Sequence, residues 1–168
     1  MTYITDLLAE FDNEMRTTRS LLERVPFDNA AWKPHTKSNS LGNLASHIAN
    51  ILSLGKAIAE QPERNFIGPD GKPTPPKIYA STEECLAAFD ANVIATRAAL
   101  AALSESALGE AWTLKAGDRV IFTLPRSVAL RTLLMNHLIH HRGQLSVYLR
   151  LNEVPLPSIY GPTADTSI

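Results

Sequence analysis

Four segments of this chain place apolar residues three or four positions apart, the spacing that aligns side chains along one face of an α-helix. A helix with one apolar face has to bury it against other elements, so the pattern predicts a helical bundle. We expect a single domain over residues 1–168. The first helix is expected from about Thr5 to Val25, and the later apolar stripes span Leu44 to Ile58, Leu86 to Leu103 and Leu130 to Tyr148.

A connection rich in proline separates the second helix from the third. Between Pro62 and Ala80 the chain contains five prolines and two glycines, which exclude a helix there. About 19 extended residues can reach ~60 Å, roughly twice the ~30 Å length of a 20-residue helix. The two helices can therefore run parallel, with this segment as a long crossover. Ser81-Thr82-Glu83-Glu84 is a capping box that starts the third helix.

The period of the apolar pattern changes to two between Ala111 and Leu124, with Ala116-Gly117-Asp118 as a turn. This predicts a short β-hairpin before the fourth helix, and it has to pack on the bundle because isolated hairpins are marginally stable. The expected fold class is therefore all-α, a four-helix bundle with a long crossover and one small hairpin. Gly143 inside the fourth helix predicts a close approach of another backbone.

Composition excludes several classes of function. Sixteen Lys and Arg balance 17 Asp and Glu, and no basic run is present, so we expect no nucleic-acid partner. No stretch approaches the ~18 apolar residues of a membrane span, and we expect no membrane partner. The single Cys85 cannot form an intrachain disulfide, and the N-terminal residues lack the pattern of a signal peptide. These features favour a cytoplasmic protein.

Three histidines fall on apolar helix faces, His47 on the second helix and His137 and His141 on the fourth. Two residues four apart lie about 40° apart on one face of a helix. Each nitrogen of a buried imidazole needs a partner, and a divalent metal is a common reason to bury three together. Ordinary hydrogen-bonded core histidines are the alternative. His140 is expected in a second shell or on the surface, and His35 in solvent.

Three motifs resemble the DinB family, which includes metalloenzymes: residues 42–47 (GNLASH), 136–145 (NHLIHHRGQL) and 155–162 (PLPSIYGP). The resemblance extends over essentially the whole chain. It implies an up-down-down-up four-helix bundle. It also implies a divalent metal, zinc or nickel in family members, held by histidines that correspond to His47, His137 and His141.

The resemblance also implies a class of reaction. Family members of known activity use low-molecular-weight thiols, as in bacillithiol S-transferases and mycothiol-dependent maleylpyruvate isomerases. The expected function is thus a metal-dependent thiol S-transferase, with a small-molecule substrate and a low-molecular-weight thiol as co-substrate. Three imidazoles leave a divalent ion an open position, which equally permits a metal-hydroxide hydrolase. A non-catalytic metal-binding bundle is the third possibility. A homodimer is also expected from the family.

Other catalytic patterns are missing from the sequence. No histidine has a glutamate three residues before it, as di-iron bundles require, and neither His-Glu-x-x-His nor Gly-x-Ser-x-Gly occurs. Cys85 lies in the first turn of the third helix, where a packing role is preferred to a reactive thiol. Arg142 faces either solvent or a substrate anion. Ile159 and Tyr160 follow two prolines, and the tail is expected to cover the mouth of the metal site.

Overall fold

Helices make up most of the structure, a computed structural model that describes residues 2–166. The first three helices are α1 (Tyr3–Leu22), α2 (Leu41–Glu60) and α3 (Thr82–Ala101). The fourth helix is built from three consecutive parts, which are α4 (Arg126–Ala129), a π-helical segment (Leu130–Asn136) and α5 (His137–Leu151). Short 3₁₀ turns occupy Phe27–Asn29 and Ser106–Gly109. The four apolar stripes therefore correspond to four observed helices.

Side-chain caps define where the first three helices begin. The hydroxyls of Thr2, Ser40 and Ser81 each accept a hydrogen bond from the backbone N–H three residues later. These N–H groups have no partner inside the helix, so a capping oxygen stabilises each start. The Glu84 carboxylate accepts from the Ala80 N–H at 3.0 Å, one residue before the cap. The predicted helix start at Ser81 is confirmed.

The core lies where the helices meet. α3 packs on both α1 and α2, and the fourth helix packs on α2 and α1. Phe11, Leu52, Phe89 and Leu145, one from each helix, are almost completely buried there. Trp112 of the hairpin is also fully buried, which joins the hairpin to the bundle. Among residues 2–166, no helix has the length and apolar character needed to cross a membrane.

The prediction of an all-α, up-down-down-up bundle is wrong, because the four helices are accompanied by a three-stranded mixed sheet. The strands are β1 (Glu63–Asn65), β2 (Ala111–Ala116) and β3 (Arg119–Pro125), in the order β1-β2-β3. β2 and β3 form the predicted antiparallel hairpin, and β1 pairs parallel to β2. β1 comes from the connection expected to be irregular. The outer edge of β2 would otherwise leave its backbone N–H and C=O groups without partners, and the chain leaving α2 supplies them.

Arg126 holds the end of α2 to the start of the fourth helix. Its guanidinium is buried and donates to the carbonyls of Ile58, Ala59 and Gln61, at 3.1 and 3.0 Å for the last two. The last carbonyls of a helix lack partners within it and carry partial negative charge, so a cation there is stabilising. Arg126 also pairs with Glu110 at 3.2 Å. This contact fixes the position of the two helices that carry the histidines.

α2 and the π-helical segment approach each other closely at Gly55. A Cβ atom at this position would lie 2.7 Å from both Cδ atoms of Leu134, which is fully buried. Leu130 and Leu134 of the π-helical segment and Leu138 of α5 are all fully buried in the core. The close packing predicted at Gly143 is wrong, because no atom of another element lies within 4 Å of a Cβ built there.

Candidate metal centre

The fold brings His47, His137 and His141 together between α2 and α5. Each offers one ring nitrogen, and these three nitrogens lie within 4.8 Å of one another. The centre of the His47 ring lies 5.1 Å from the centre of the His137 ring and 4.5 Å from that of His141. The centres of the His137 and His141 rings are 4.7 Å apart. All three side chains are half-buried. His47 thus shares one small volume with two histidines that lie 90 or more residues later in the sequence.

The nitrogen positions fit a divalent ion. His47 Nε2 and His137 Nε2 are 3.3 Å apart. Zn–N bonds of ~2.0–2.1 Å in a tetrahedron place neighbouring ligand nitrogens ~3.4 Å apart. A hydrogen bond between two neutral rings gives the same separation, but it does not account for the third ring beside them. Among residues 2–166 the group comprises these three histidines. Three imidazoles are the donor set of some catalytic zinc sites.

The surroundings keep the three imidazoles in the neutral form that binds metals. The pKa of His47 is lowered to about 4, mainly by burial and also by the nearby rings of His141 and His137. Burial is also the main cause that lowers the pKa of His137 and of His141. A neutral imidazole has a free lone pair, so these shifts favour metal binding near neutral pH.

Two hydrogen-bond acceptors orient the two α5 histidines, and neither acceptor was predicted from the sequence. Gln144 Oε1 lies 2.8 Å from His141 Nδ1, one turn along α5. Gln144 Nε2 lies 3.1 Å from His140 Nε2. The amide nitrogen of Gln144 thus donates to His140, and its oxygen accepts from His141. The backbone of Leu133 accepts from the ring of His137 and opposes the fall of its pKa. With Nδ1 carrying the proton, Nε2 of each ring is free for an ion.

Two cavities open beside the histidines. The larger, about 310 Å³, has His47 and His137 among its lining residues, and the smaller, about 150 Å³, also reaches His47. Pro76 lines both cavities and lies between them. Asn39, Asn43 and Ile78 complete the smaller one. The apolar wall of the larger one is formed by Ile51, Leu54, Phe66, Pro75 and Pro76.

The α2–α3 connection, residues 61–81, forms the outer wall of both cavities. Asn50 of α2 donates to the Lys77 carbonyl at 2.7 Å and accepts from the Tyr79 hydroxyl at 2.8 Å. Ser46 Oγ accepts from the Tyr79 N–H at 3.0 Å. Ser46 and Asn50 flank His47 on α2, so the turn that carries a histidine also holds the wall of its cavity.

Comparison with known proteins identifies the family of the chain and proteins of similar fold. A model of the DinB family matches residues 1–167. The chain belongs to the DinB family. A DinB-like protein of Bacillus subtilis superposes with a TM-score of 0.67 at 21% identity, covering 92% of this chain and 96% of that one. A DinB-like protein of Bacillus cereus gives 0.67 at 22% identity, covering 91% and 95%. These similarities show a shared fold. No curated protein matches the chain.

Arg142 contacts neither solvent nor either cavity in this DinB chain. Its guanidinium is 1% exposed and pairs with the Glu14 carboxylate of α1 at 2.5 Å. The Tyr160 hydroxyl lies 2.5 Å from Arg142 Nη2 and donates to Glu14 at 2.9 Å. The tail therefore closes over Arg142 and α1, and none of its described residues lines either cavity. The prediction that it covers the metal site is wrong.

The remaining candidates lie outside the cluster. Cys85 is fully buried, its Sγ lies 3.7 Å from the Ala45 carbonyl, and burial raises the pKa of its thiol to about 12. The preferred packing role is confirmed. His35 is exposed and accepts from the Lys37 N–H at 3.2 Å. His140 is exposed, with its ring centroid 4.9 Å from that of His141, and its Nε2 contacts the Gln144 amide.

Proposed function

We propose that this DinB protein is a metal-dependent thiol S-transferase, in which His47, His137 and His141 hold one divalent ion, zinc or nickel. The observation that carries the proposal is the meeting of two separate cavities at His47. A transferase of this kind has two co-substrates, and each needs a place beside the same ion. The polar lining from Asn39 and Asn43 suits a hydrophilic thiol, and the apolar wall of the larger cavity suits the electrophile.

The chain supplies positions and orientation for the reaction. His47 and His137 line the larger cavity, so a bound ion would be accessible from it. Gln144 and the Leu133 backbone fix the tautomers of the α5 histidines. When bound, a divalent ion lowers the pKa of a thiol, so that thiolate is available near neutral pH. In the transfer a new S–C bond forms, the thiol proton leaves, and the leaving group of the electrophile takes its electron pair.

The lining of the cavities supports this reaction over metal-assisted hydrolysis. Hydrolytic metal sites of the His-Glu-x-x-His type place a carboxylate beside the ion as general base. None of the described residues that line the two cavities is an aspartate or a glutamate. A purely structural ion would have a closed set of ligands, whereas here open space reaches two of the three histidines.

Metal analysis tests the first half of the proposal. The purified protein should carry about one divalent ion per chain by inductively coupled plasma mass spectrometry, and His141→Ala should lose it. His35→Ala is the matched control, because His35 is an exposed histidine that lies outside the cluster, and it should retain the ion. Equal metal content in both variants would refute the site.

A transferase assay tests the second half. Cysteine, glutathione, bacillithiol and mycothiol are each incubated with 1-chloro-2,4-dinitrobenzene, and thioether formation is followed by absorbance. The metal-loaded protein should accelerate the reaction of at least one of these thiols. His141→Ala should remove this acceleration, and His35→Ala should keep it. An activity that persists in His141→Ala would show that the cluster is not involved.

A further inference from the structure

We propose that the larger cavity binds an organic anion with an apolar body, such as a carboxylate on an aromatic or aliphatic stem, and that Arg64 and Lys77 hold its acid group. As a statement about the substrate class, this rests on the proposed function. The binding itself requires only the residues of the cavity, so it can be tested separately from the metal.

The apolar part of the site comes from both walls. Ile51 and Leu54 project from α2, and Phe66, Pro75 and Pro76 come from the α2–α3 connection. Phe66 is 42% exposed, although a phenyl ring is stabilised by burial. A ligand with an apolar body would remove this surface from water. At about 310 Å³ the cavity lies near the lower limit of ligand pockets, which span ~300–1,000 Å³, and so it suits a small molecule.

The charged side chains that line the cavity are all positive. Arg64, half-buried on β1, and Lys77 both line the cavity, and no aspartate or glutamate among residues 2–166 does so. Two carboxylates of the sheet and its flanking turn pair with other cations. Glu63 pairs with Lys115 at 2.6 Å, and Glu110 pairs with Arg126.

Neither cavity cation forms an ion pair within the described part of the chain. Lys77 Nζ lies 5.2 Å from the centre of the Tyr79 ring. Two cations in a concave site without carboxylates produce a positive potential that attracts an anion. His47 and His137 line the same cavity, so an anion held by Arg64 and Lys77 would lie beside the metal centre.

The test compares an acid with its uncharged analogue. 4-Phenylbutyrate and 4-phenylbutanol are titrated by NMR into the full chain after metal removal with EDTA, so that the acid has no ion to bind. The acid should bind at least about tenfold more tightly than the alcohol. Arg64→Met and Lys77→Met should each weaken acid binding about two- to fivefold, as expected for partly exposed charges, and leave alcohol binding unchanged. Raising the NaCl concentration to 0.5 M should weaken the binding of the acid and leave the binding of the alcohol unchanged.

Lys72→Met is the matched control, since Lys72 is an exposed cation on the same connection that does not line the cavity. It should bind the acid as the unmodified protein does. Equal affinity for acid and alcohol, undiminished binding by both cavity variants, or an equal loss in Lys72→Met would each overturn the proposal. Lys77 is exposed, so that variant stays folded and remains informative if Arg64→Met does not.

Parallel zinc titration separates this proposal from the metal-dependent function. A protein that binds zinc without preferring the acid retains the metal site and refutes the anion site. A protein that prefers the acid without binding zinc retains the anion site and refutes the metal site.

Discussion

The buried ion pair between Arg142 and Glu14 offers a sharp test of what holds α5 to α1. Arg142 is 1% exposed and Glu14 5% exposed, and their closest atoms are 2.5 Å apart. The guanidinium also reaches the Glu14 carbonyl at 3.3 Å and the Thr18 hydroxyl at 3.4 Å. Arg142→Met would leave the carboxylate buried, and the Tyr160 hydroxyl would be its one remaining hydrogen-bond donor among residues 2–166.

Removing one partner of a buried pair costs about 3–5 kcal/mol of unfolding free energy, because an uncompensated charge stays in the interior. At ~2–4 °C per kcal/mol for a chain of this size, the midpoint of thermal unfolding should fall by about 6–20 °C. Replacing both partners with apolar residues removes that charge. The double variant Arg142→Met, Glu14→Leu should therefore be within about 1 kcal/mol of the unmodified protein, or more stable.

Urea unfolding followed by circular dichroism measures these differences. The matched control is Arg97→Met, because Arg97 pairs with Asp12 at 2.7 Å with side chains 47% and 43% exposed. It should cost at most about 1 kcal/mol, since water screens a surface pair. Two results would contradict this reasoning. One is that Arg142→Met lowers the free energy of unfolding no more than Arg97→Met does. The other is that the double variant is less stable than Arg142→Met.

Two further predictions concern the metal centre and the helix contact beneath it. Gln144→Ala should weaken zinc affinity about 10–100-fold by chelator competition, because the His141 Nδ1–H loses its acceptor, whereas Gln144→Glu keeps an acceptor and should retain binding. Equal affinity of the alanine and glutamate variants would refute an orienting role. Gly55→Ala should destabilise the fold by about 1–3 kcal/mol, since its Cβ would meet Leu134. Gly143→Ala has open space and should stabilise it by about 0.5–1 kcal/mol. Urea midpoints that move in the same direction for both glycine variants would contradict this difference.

The sequence predicted the parts of the fold that depend on local periodicity. Four apolar stripes gave the four helices, and the change to period two gave the hairpin of β2 and β3. The meeting of His47 with His137 and His141 was also predicted, from the position of each histidine on an apolar stripe together with the resemblance to the DinB family. The helix and hairpin patterns each extend over several residues, so no single residue decides them.

The parts that the sequence could not predict depend on contacts between distant residues. β1 is only Glu63-Arg64-Asn65, three polar residues that form a strand because β2 has an unpaired edge beside them. Arg142 carries no local sign that Glu14, 128 residues earlier, will neutralise it. Gln144 is an ordinary polar residue until α5 places it one turn from His141. The open space around Gly143 equally depends on where the neighbouring elements end.

Because of the α2–α3 connection, the residues that position the histidines and the residues that line most of the cavity belong to different parts of the chain. The histidines are fixed by the bundle and by Arg126, whereas most of the cavity wall belongs to a segment attached through Ser46, Asn50 and β1. On the proposed function, side chains at positions such as Arg64, Phe66 and Lys77 can be exchanged without repacking the core. One metal-holding scaffold can in this way serve different ligands, and the specificity of the protein becomes a property of its least regular segment.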